Sequence, residues 1–190
     1  MRVAIYGAGA MGTILGAYIA ASGKQIDLIT SNVKHVEAIK QHGAQVLGNA
    51  NFTVRVNALT PDEMTGCYDI IFLMTKQREN HKILTTLKDF LAEDGVICTL
   101  QNGLPEPSVI EAVGSKRCLG CAVGWGASYI GDGASELTSK KDKMTFALGS
   151  MHGHNTWTET VKEYLECAGH VTVEPNFFGA RWAKLVMNSA

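Results

Sequence analysis

The most informative stretch of this chain is Gly7-Ala8-Gly9-Ala10-Met11-Gly12. It directly follows the apolar residues 3–6, which have the composition of a strand, and it directly precedes residues 13–20, which have helical character. A strand, a glycine-rich turn and a helix in this order are the setting in which a G-x-G-x-x-G sequence binds a dinucleotide. The sequence therefore predicts a nucleotide cofactor at residues 7–12, with a tight turn that holds no ligand as the alternative.

Each of the three glycines supports this prediction for a different physical reason. Gly7 permits the tight turn out of the strand, Gly9 lets the backbone approach a pyrophosphate, and Gly12 lets the helix pack closely on the sheet. The start of the helix presents free N–H groups to the phosphates. The whole stretch of residues 7–12 is therefore the predicted cofactor-binding segment.

The composition is that of an ordinary globular protein. The chain has 190 residues, of which 46% are hydrophobic and 18% are charged, and its formal net charge is −1. No acidic or basic block indicates binding to nucleic acid or to an anionic membrane surface, and no apolar run reaches the length of a bilayer span. The N-terminus has no signal-peptide pattern. We therefore expect a cytoplasmic protein with no nucleic acid and no membrane among its partners.

The cysteines and histidines do not predict a metal site. The five cysteines are odd in number and most lie in or beside apolar runs, so free thiols are expected. Cys118-Leu119-Gly120-Cys121 has redox or zinc spacing, but no second ligand pair accompanies it and a strand is expected there. His152-Gly153-His154 lacks a third ligand and is typical of a surface turn.

Short apolar segments alternate with amphipathic ones along the first hundred residues. Because this rhythm is typical of βαβ units, it predicts an α/β fold with a doubly wound (Rossmann-type), mostly parallel sheet. After Cys118 strands predominate, and they predict a mixed or antiparallel extension of that sheet. The predicted strands are residues 3–6, 26–30, 44–47, 52–56, 69–75, 96–100, 119–129, 134–138, 144–148 and 171–174, and the predicted helices are residues 13–20, 33–41, 80–91 and 156–167.

Pro175 separates two predicted domains. Residues 1–174 form the dinucleotide-binding domain. Residues 175–190 have helical composition and reach the end of the sequence with no glycine, cap or turn to close the helix. We expect them to be the first part of the opening helix of a helical substrate or dimerisation domain, truncated in this chain.

The residues after the second predicted strand favour NADP(H) over NAD(H). Domains that select NAD place Asp or Glu there to bind the ribose 2′-hydroxyl, whereas this chain has Thr30-Ser31-Asn32 followed by Lys34. Asp27 lies earlier, about 10 Å back along the strand. Hydroxyl, amide and ammonium groups suit a 2′-phosphate, which a carboxylate would repel. Ser31 and Asn32 are therefore predicted cofactor-binding residues. A helix cap at one of them is the alternative, and the two roles are compatible.

Three further segments give the chain a resemblance to a known family. Thr75-Lys76 follows the buried strand, Gln101-Asn102-Gly103 follows the next strand, and Arg181-Trp182-Ala183-Lys184-Leu185-Val186-Met187-Asn188 lies near the end. Together with the glycine turn they occur in the order seen in ketopantoate reductases (2-dehydropantoate 2-reductases), which the chain resembles over its whole length. The resemblance implies NADPH-dependent reduction of a 2-keto acid to a 2-hydroxy acid, in the first place 2-dehydropantoate to pantoate in pantothenate and coenzyme A biosynthesis.

The resemblance also assigns roles to four residues. Lys184 matches the catalytic lysine of the family, and Asn188 matches a substrate-binding asparagine one turn later. Lys76 and Asn102 match residues that bind substrate and cofactor. The partner implied is a small 2-keto acid, and the resemblance leaves open a homodimer formed through the C-terminal domain.

The chemistry of these residue types agrees with those roles. Hydride delivery to a ketone develops negative charge on oxygen, which an ammonium group such as that of Lys184 stabilises and protonates. Lys184 and Asn188 are four residues apart and share a helix face. Lys76 and Asn102 follow adjacent predicted strands, at the edge where open α/β sheets bind ligands. The alternatives are a solvated helix lysine, a surface-loop lysine and an Asn-Gly turn without a ligand.

Two departures from the family pattern leave the substrate open. Leu104-Pro105-Glu106-Pro107 stands where many members keep another glycine, and residues 124–129 differ from a threonine-rich version. Asp69 and Glu106 show no acid–base partner in the sequence. Another dehydrogenase of the same superfamily, acting on an opine, a sugar acid or a polyol, and a non-catalytic NADP-binding regulatory protein remain as alternative functions.

Overall fold

The structure, a computed structural model, describes the backbone of residues 1–189 and the side chains of residues 1–187. Within these residues the chain forms twelve strands in two sheets and six α-helices. The strands are β1 (Val3–Tyr6), β2 (Asp27–Ile29), β3 (Ala44–Gly48), β4 (Phe52–Val54), β5 (Asn57–Leu59), β6 (Tyr68–Leu73), β7 (Leu91–Thr99), β8 (Cys118–Val123), β9 (Ala127–Gly131), β10 (Ala134–Leu137), β11 (Thr145–Gly149) and β12 (His170–Val173). The helices are α1 (Ala10–Ala21), α2 (Val33–His42), α3 (Asn80–Leu87), α4 (Glu106–Val113), α5 (Thr158–Leu165) and α6 (Phe177–Ser189).

The larger sheet has the strand order β12-β11-β8-β7-β6-β1-β2-β5. From β5 to β8 every neighbouring pair is parallel. β11 then pairs antiparallel with β8, and β12 lies parallel to β11. The prediction of a doubly wound, mostly parallel sheet with a mixed extension is therefore confirmed. Because the chain proceeds from β1 towards one edge and later from β6 towards the other, the glycine turn after β1 lies at the topological switch point, where such sheets bind ligands.

The central strands are buried on both faces, which explains their continuous apolar sequences. Alternate side chains of a strand point to opposite faces. Ile5 and Phe72 accordingly belong to the core on one face of the main sheet, and Ala4 and Ile71 belong to the core on the other. The register pairs Ile5 with Phe72 and Ala4 with Ile71, so each strand contributes to both cores. The loops at the carboxyl edge therefore begin at strands that are packed on both faces.

The smaller sheet has the order β4-β3-β10-β9 and packs against α1. The sequence predicted residues 119–129 and 134–138 as parts of the main-sheet extension, but β9 and β10 lie in this second sheet, where β10 pairs in parallel with β3. Gly124 and Gly126 interrupt the predicted long strand, and Trp125 between them is buried against Phe146, with ring centroids 6.0 Å apart. The chain turns away from the main sheet at this point.

Two elements were not predicted from the sequence. β5 has three residues, too few to show an alternating pattern. α4 begins directly after Pro105 and carries Pro107 in its first turn, where a missing N–H has no helical partner to lose. The predicted helix over residues 80–91 is shorter than expected, because α3 ends at Leu87, a 3₁₀ turn follows and β7 begins at Leu91.

The cysteines among the described residues are all free. Cys118 lies in the core on one face of the main sheet and Cys121 in the core on the other, so the strand itself separates the two thiols. Burial raises the pKa of each to about 12, which keeps both protonated. No group of three metal-ligating side chains occurs within the described part of the chain. A search of the same residues finds no helix that is long and apolar enough to cross a bilayer.

Candidate functional site

Three strand ends converge at the carboxyl edge of the main sheet. The loops after β1, β6 and β7 line a cavity of about 360 Å³ there. Its walls combine the glycine turn with two of the residues that the sequence predicted, Lys76 and Asn102, whose side chains are both exposed. The structure therefore brings the predicted phosphate-binding turn and these two polar residues to one cleft.

The glycine turn has room for a phosphate group against the start of α1. Gly7 has a φ of +104°, in the left-handed region, and a Cβ there would lie 2.6 Å from the backbone nitrogen of Thr75. A Cβ on Gly12 would lie 2.6 Å from the carbonyl oxygen of Gly7. A Cβ on Gly9 would meet no other described atom within 4 Å, so this side of the turn opens on the cleft, whereas Ala8 is fully buried. Gly9 precedes α1 without a side-chain cap, which leaves first-turn N–H groups for an anion. These features fit a dinucleotide pyrophosphate.

A second cavity, of about 630 Å³, adjoins the first where Gly7 and Thr75 line both. Its walls include the loops that follow β2 and β5 and the first two turns of α3. Ser31, one of the predicted cofactor residues, lies on this wall. The charged side chains of the lining are those of Asp62, Glu79 and Lys82.

Asn32 directly follows Ser31 in the sequence, but it does not line this cavity. Its Oδ1 accepts a hydrogen bond from the backbone N–H of His35 at 3.2 Å and so caps α2. Its Nδ2 donates to Tyr129 Oη and to Asp132 Oδ1, each at 3.2 Å. The helix-cap alternative therefore describes the Asn32 side chain, which links α2 to the β9–β10 hairpin.

Asp27 stands at the opposite end of β2. Its Oδ2 accepts hydrogen bonds from Tyr68 Oη at 2.8 Å and from Arg2 Nη2 at 3.2 Å. Burial, reinforced by Asp27, raises the pKa of Tyr68. The Asp27 carboxylate therefore belongs to a polar cluster at the amino edge of the sheet, opposite the edge that carries the glycine turn.

α6 carries the predicted catalytic lysine. Phe177 and Arg181 face the protein, and each is 1% exposed. Lys184, one turn after Arg181, is half-buried and does not line either of the two cavities described above. Asn188 belongs to the backbone of α6, but its side chain lies outside the described residues.

A buried ion pair joins α6 to the first residue of α4. Arg181 Nε donates to Glu106 Oε1 at 2.9 Å, and Arg181 Nη2 donates to the same oxygen. Arg181 Nη1 donates to the carbonyl oxygen of Gln101 at 3.1 Å. Because Gln101 directly precedes Asn102, this last hydrogen bond holds α6 against the turn that carries one of the predicted site residues.

The side chain of Gln101 extends this network towards the loop after β6. Its Nε2 donates to the carbonyl oxygen of Thr75 at 2.9 Å and to Asn80 Oδ1 at 2.7 Å. Its Oε1 accepts from Asn80 Nδ2 at 3.0 Å and from Thr99 Oγ1 at 3.1 Å. Every polar atom of this buried amide group is thus satisfied, which fixes the two loops relative to each other.

Sequence reasoning missed the ion pair. It assigned no partner to Glu106 and treated Arg181 and Gln101 only as members of motifs. A signal was present, because Arg181 lies four residues after Phe177 and so shares the buried face of the helix, where a charge requires a partner. The partner is 75 residues away along the chain, and only the fold identifies it.

A parallel sheet with a phosphate-binding glycine turn at its switch point, and with polar residues at the adjoining strand ends, defines a dinucleotide-binding domain of the dehydrogenase class. Comparison with known families narrows this class, since residues 3–150 match the family described as ketopantoate reductase PanE/ApbA. The chain therefore belongs to the ketopantoate reductase family, whose members are NADPH-dependent oxidoreductases that act on a CH–OH group.

Similar proteins carry the corresponding enzyme name. The 2-dehydropantoate 2-reductase of Pyrococcus horikoshii is 32% identical over 192 residues, which cover 100% of this chain and 62% of that protein. The 2-dehydropantoate 2-reductase of Streptococcus pyogenes is 30% identical over 138 residues, which cover 72% of this chain and 45% of that protein. The chain therefore spans less than two thirds of the length of these relatives.

Solved structures show the same fold. The 2-dehydropantoate 2-reductase from Geobacter metallireducens superposes with a TM-score of 0.86 at 26% identity, over 99% of this chain and 62% of that one. The ternary structure of D-mandelate dehydrogenase with NADH and anilino(oxo)acetate superposes with a TM-score of 0.78 at 24% identity, over 93% of this chain and 58% of that one. The second likeness is one of fold alone.

Proposed function

We propose that this protein reduces a 2-keto acid to a 2-hydroxy acid with NADPH, and that the substrate is 2-dehydropantoate, which yields pantoate. The observation that carries the proposal is the shared cleft, in which Lys76 and Asn102 flank the same cavity as the glycine turn. Membership of the ketopantoate reductase family supports the class of reaction, and the name of the Pyrococcus horikoshii relative supports the substrate.

The proposed cofactor is NADP(H), with its pyrophosphate at the glycine turn and its 2′-phosphate beside Ser31. Thr30 and Ser31 offer hydroxyl groups on the wall of the larger cavity, and the exposed Lys34 supplies a positive charge in the first turn of α2. The use of NADPH by the family supports this proposal. Asn32 belongs to the proposed cofactor-binding residues as well, and its side chain also caps α2.

NADPH, when bound, supplies the hydride, and the residues of the chain bind and orient the reactants. We assign to the Lys184 ammonium group the stabilisation of negative charge on the substrate oxygen and the delivery of a proton to it. Lys76 and Asn102 orient the keto acid and the cofactor by charge and hydrogen bonding. Asn188 is the fourth proposed substrate-binding residue.

The proposal extends to the organisation of the protein. Residues 1–174 form the cofactor domain, and residues 175–190 open a helical domain that completes the substrate pocket. The greater length of the relatives supports this division. A homodimer formed through the C-terminal domain and a cytoplasmic location belong to the same proposal.

The test follows the absorbance of NADPH in the complete protein, with 2-dehydropantoate and a panel of small 2-keto acids. We expect oxidation with 2-dehydropantoate, and a loss of turnover of about 10²-fold or more in Lys184→Ala. NADPH binding, measured by quenching of protein fluorescence, should persist in this variant. The exposed Lys143 provides a matched control, because Lys143→Ala should leave turnover unchanged.

Two other outcomes would each contradict the proposal. NADPH binding without oxidation by any keto acid would identify a non-catalytic NADP-binding regulatory protein. Oxidation with a different substrate only, such as an opine precursor, a sugar acid or a polyol, would identify another dehydrogenase of the superfamily.

A further inference from the structure

We propose that Arg181, held by Glu106, is a positioning residue for this reaction. It sets the helix that carries Lys184 at a fixed place relative to the strand ends that carry Lys76 and Asn102. The inference rests on the proposed function, since it explains how three separate segments form one site.

One buried hydrogen-bond network reaches all three segments. Gln101 Nε2 donates to the carbonyl oxygen of Thr75 at 2.9 Å, and the carbonyl oxygen of Gln101 accepts from Arg181 Nη1 at 3.1 Å. In the sequence Thr75 and Gln101 immediately precede two of the proposed site residues, and Arg181 precedes the third by one helical turn. The network therefore fixes the backbone beside each proposed group without touching the reacting atoms.

The ion pair that anchors this network is almost completely shielded from water. The side chains of Arg181 and Glu106 are 2% and 0% exposed. Two donors of Arg181 converge on Glu106 Oε1, while the buried Oε2 has no hydrogen-bond partner among the described residues. All the hydrogen bonds that the described structure gives this carboxylate thus go to the guanidinium group.

Such a pair contributes little to net stability, because the desolvation of both charges offsets their attraction. Its effect is geometric, since a planar guanidinium group with fixed donors reaches Glu106 and the Gln101 carbonyl oxygen at the same time in only one orientation. The helix is therefore held in rotation as well as in distance. A misplacement of about 1 Å in an enzyme site lowers the rate on the order of 10²-fold, so this orientation controls turnover.

The test compares Arg181→Met, Glu106→Leu and the double variant in the complete protein. Each single variant leaves one buried charge unpaired, whereas the double variant removes both charges and should recover most of the lost thermal stability. The double variant still lacks the bond to the Gln101 carbonyl oxygen. We therefore expect its kcat to stay about 10²-fold below that of the wild type, an effect larger than any change in its Kd for NADPH, because neither side chain lines the cofactor cavities.

Recovery of kcat together with Tm in the double variant would show that the pair has a purely structural role, and would overturn the inference. Arg181→Lys adds a second readout. It keeps the positive charge but loses the fork of donors, so it should retain thermal stability better than Arg181→Met while kcat stays reduced.

Arg117→Met is a control for the loss of an arginine that donates hydrogen bonds to backbone carbonyl oxygens outside the site. Arg117 Nε and Nη2 donate to the carbonyl oxygens of Gly95 and Ala92 at 3.0 Å and 2.6 Å, in the amino-terminal half of β7 and away from the site. This variant should lower Tm without changing kcat. If no keto acid supports oxidation of NADPH by the wild-type protein, the proposed function fails. If the wild-type protein is active and Arg181→Met keeps the full kcat, only the positioning role fails.

Discussion

His35 Nε2 lies 2.9 Å from Thr13 Oγ1, in the buried space between α2 and α1. Nδ1 of the same ring accepts a hydrogen bond from the backbone N–H of Gly133 at 2.9 Å. Neutral imidazole therefore carries its hydrogen on Nε2 and donates it to Thr13. One buried ring thus joins the helix that follows the glycine turn to the tip of the β9–β10 hairpin.

Acidification should weaken this junction. Burial lowers the pKa of His35, an effect that the nearby Asp132 carboxylate partly offsets. Because the unfolded chain then binds the proton more readily, the contribution of His35 to stability is complete above the ordinary histidine pKa of about 6.5 and is lost as the pH falls through that value towards the lowered one. His35→Gln should therefore lower Tm more above this range of pH than below it.

Thermal unfolding across this range measures the effect. His170→Gln, which changes an exposed histidine in β12, is the control. A Tm difference between wild type and His35→Gln that does not narrow on acidification would contradict the assignment of a buried neutral ring.

Two glycines of the same turn should respond differently to an added methyl group. In Gly12→Ala the new Cβ would lie 2.6 Å from the Gly7 carbonyl oxygen, so we expect a loss of stability of about 1–3 kcal/mol as well as weaker NADPH binding. In Gly9→Ala the Cβ meets no described atom within 4 Å. Tm should then stay near the wild-type value while NADPH binding, measured by fluorescence quenching, falls. Equal NADPH binding by Gly9→Ala and the wild type would contradict the placement of the pyrophosphate at this turn.

A carboxylate at the end of β2 should reverse the cofactor preference. Ser31→Asp places a negative charge on the wall assigned to the 2′-phosphate, and two like charges at about 4 Å near a protein surface repel by up to about 4 kcal/mol. We expect the Kd for NADPH to rise by about tenfold or more, which corresponds to about 1.4 kcal/mol, while that for NADH does not rise. Ser128→Asp makes the same charge change on the exposed β9 and should alter neither constant.

The docking of α6 should depend on a glycine in β8. A Cβ on Gly120 would overlap the ring of Phe177 and crowd Glu106 Oε1, so Gly120→Ala should displace the start of α6 and destabilise the fold by about 1–3 kcal/mol. Gly131 also lies in a strand, but a Cβ there meets no described atom within 4 Å. Urea unfolding of Gly120→Ala and Gly131→Ala should therefore show a loss only in the first.

Local sequence predicted the central sheet because each of its elements shows its own pattern. The buried apolar residues of β6 and the glycines after β1 indicate their structure without reference to distant residues. The second sheet differs, because β3 and β10 each look like strands but nothing local specifies that they pair in parallel, Gln45 opposite Ala134. The chain leaves the main sheet at Gly124 and Gly126, and this change of direction brings β10 beside β3.

The same distinction applies to the candidate site. Lys76 and Asn102 could be placed at one edge because both follow strands of a parallel sheet. The cap that Asn32 makes on α2 could be predicted, but the hydrogen bonds of its Nδ2 could not, since their partners Tyr129 and Asp132 belong to a hairpin about a hundred residues later. The ion pair of Arg181 was missed for the same reason.

The pairing of β3 with β10 also fixes the order in which the domain can assemble. A ribosome releases β1, the glycine turn and α2 long before Gly133, the hydrogen-bond donor to His35 Nδ1, has been synthesised. Contacts between such distant segments form late, because the entropy of closing the intervening loop must first be overcome. The loop that carries Ser31 and Asn32 therefore acquires its support from the β9–β10 hairpin only after most of the chain has emerged from the ribosome.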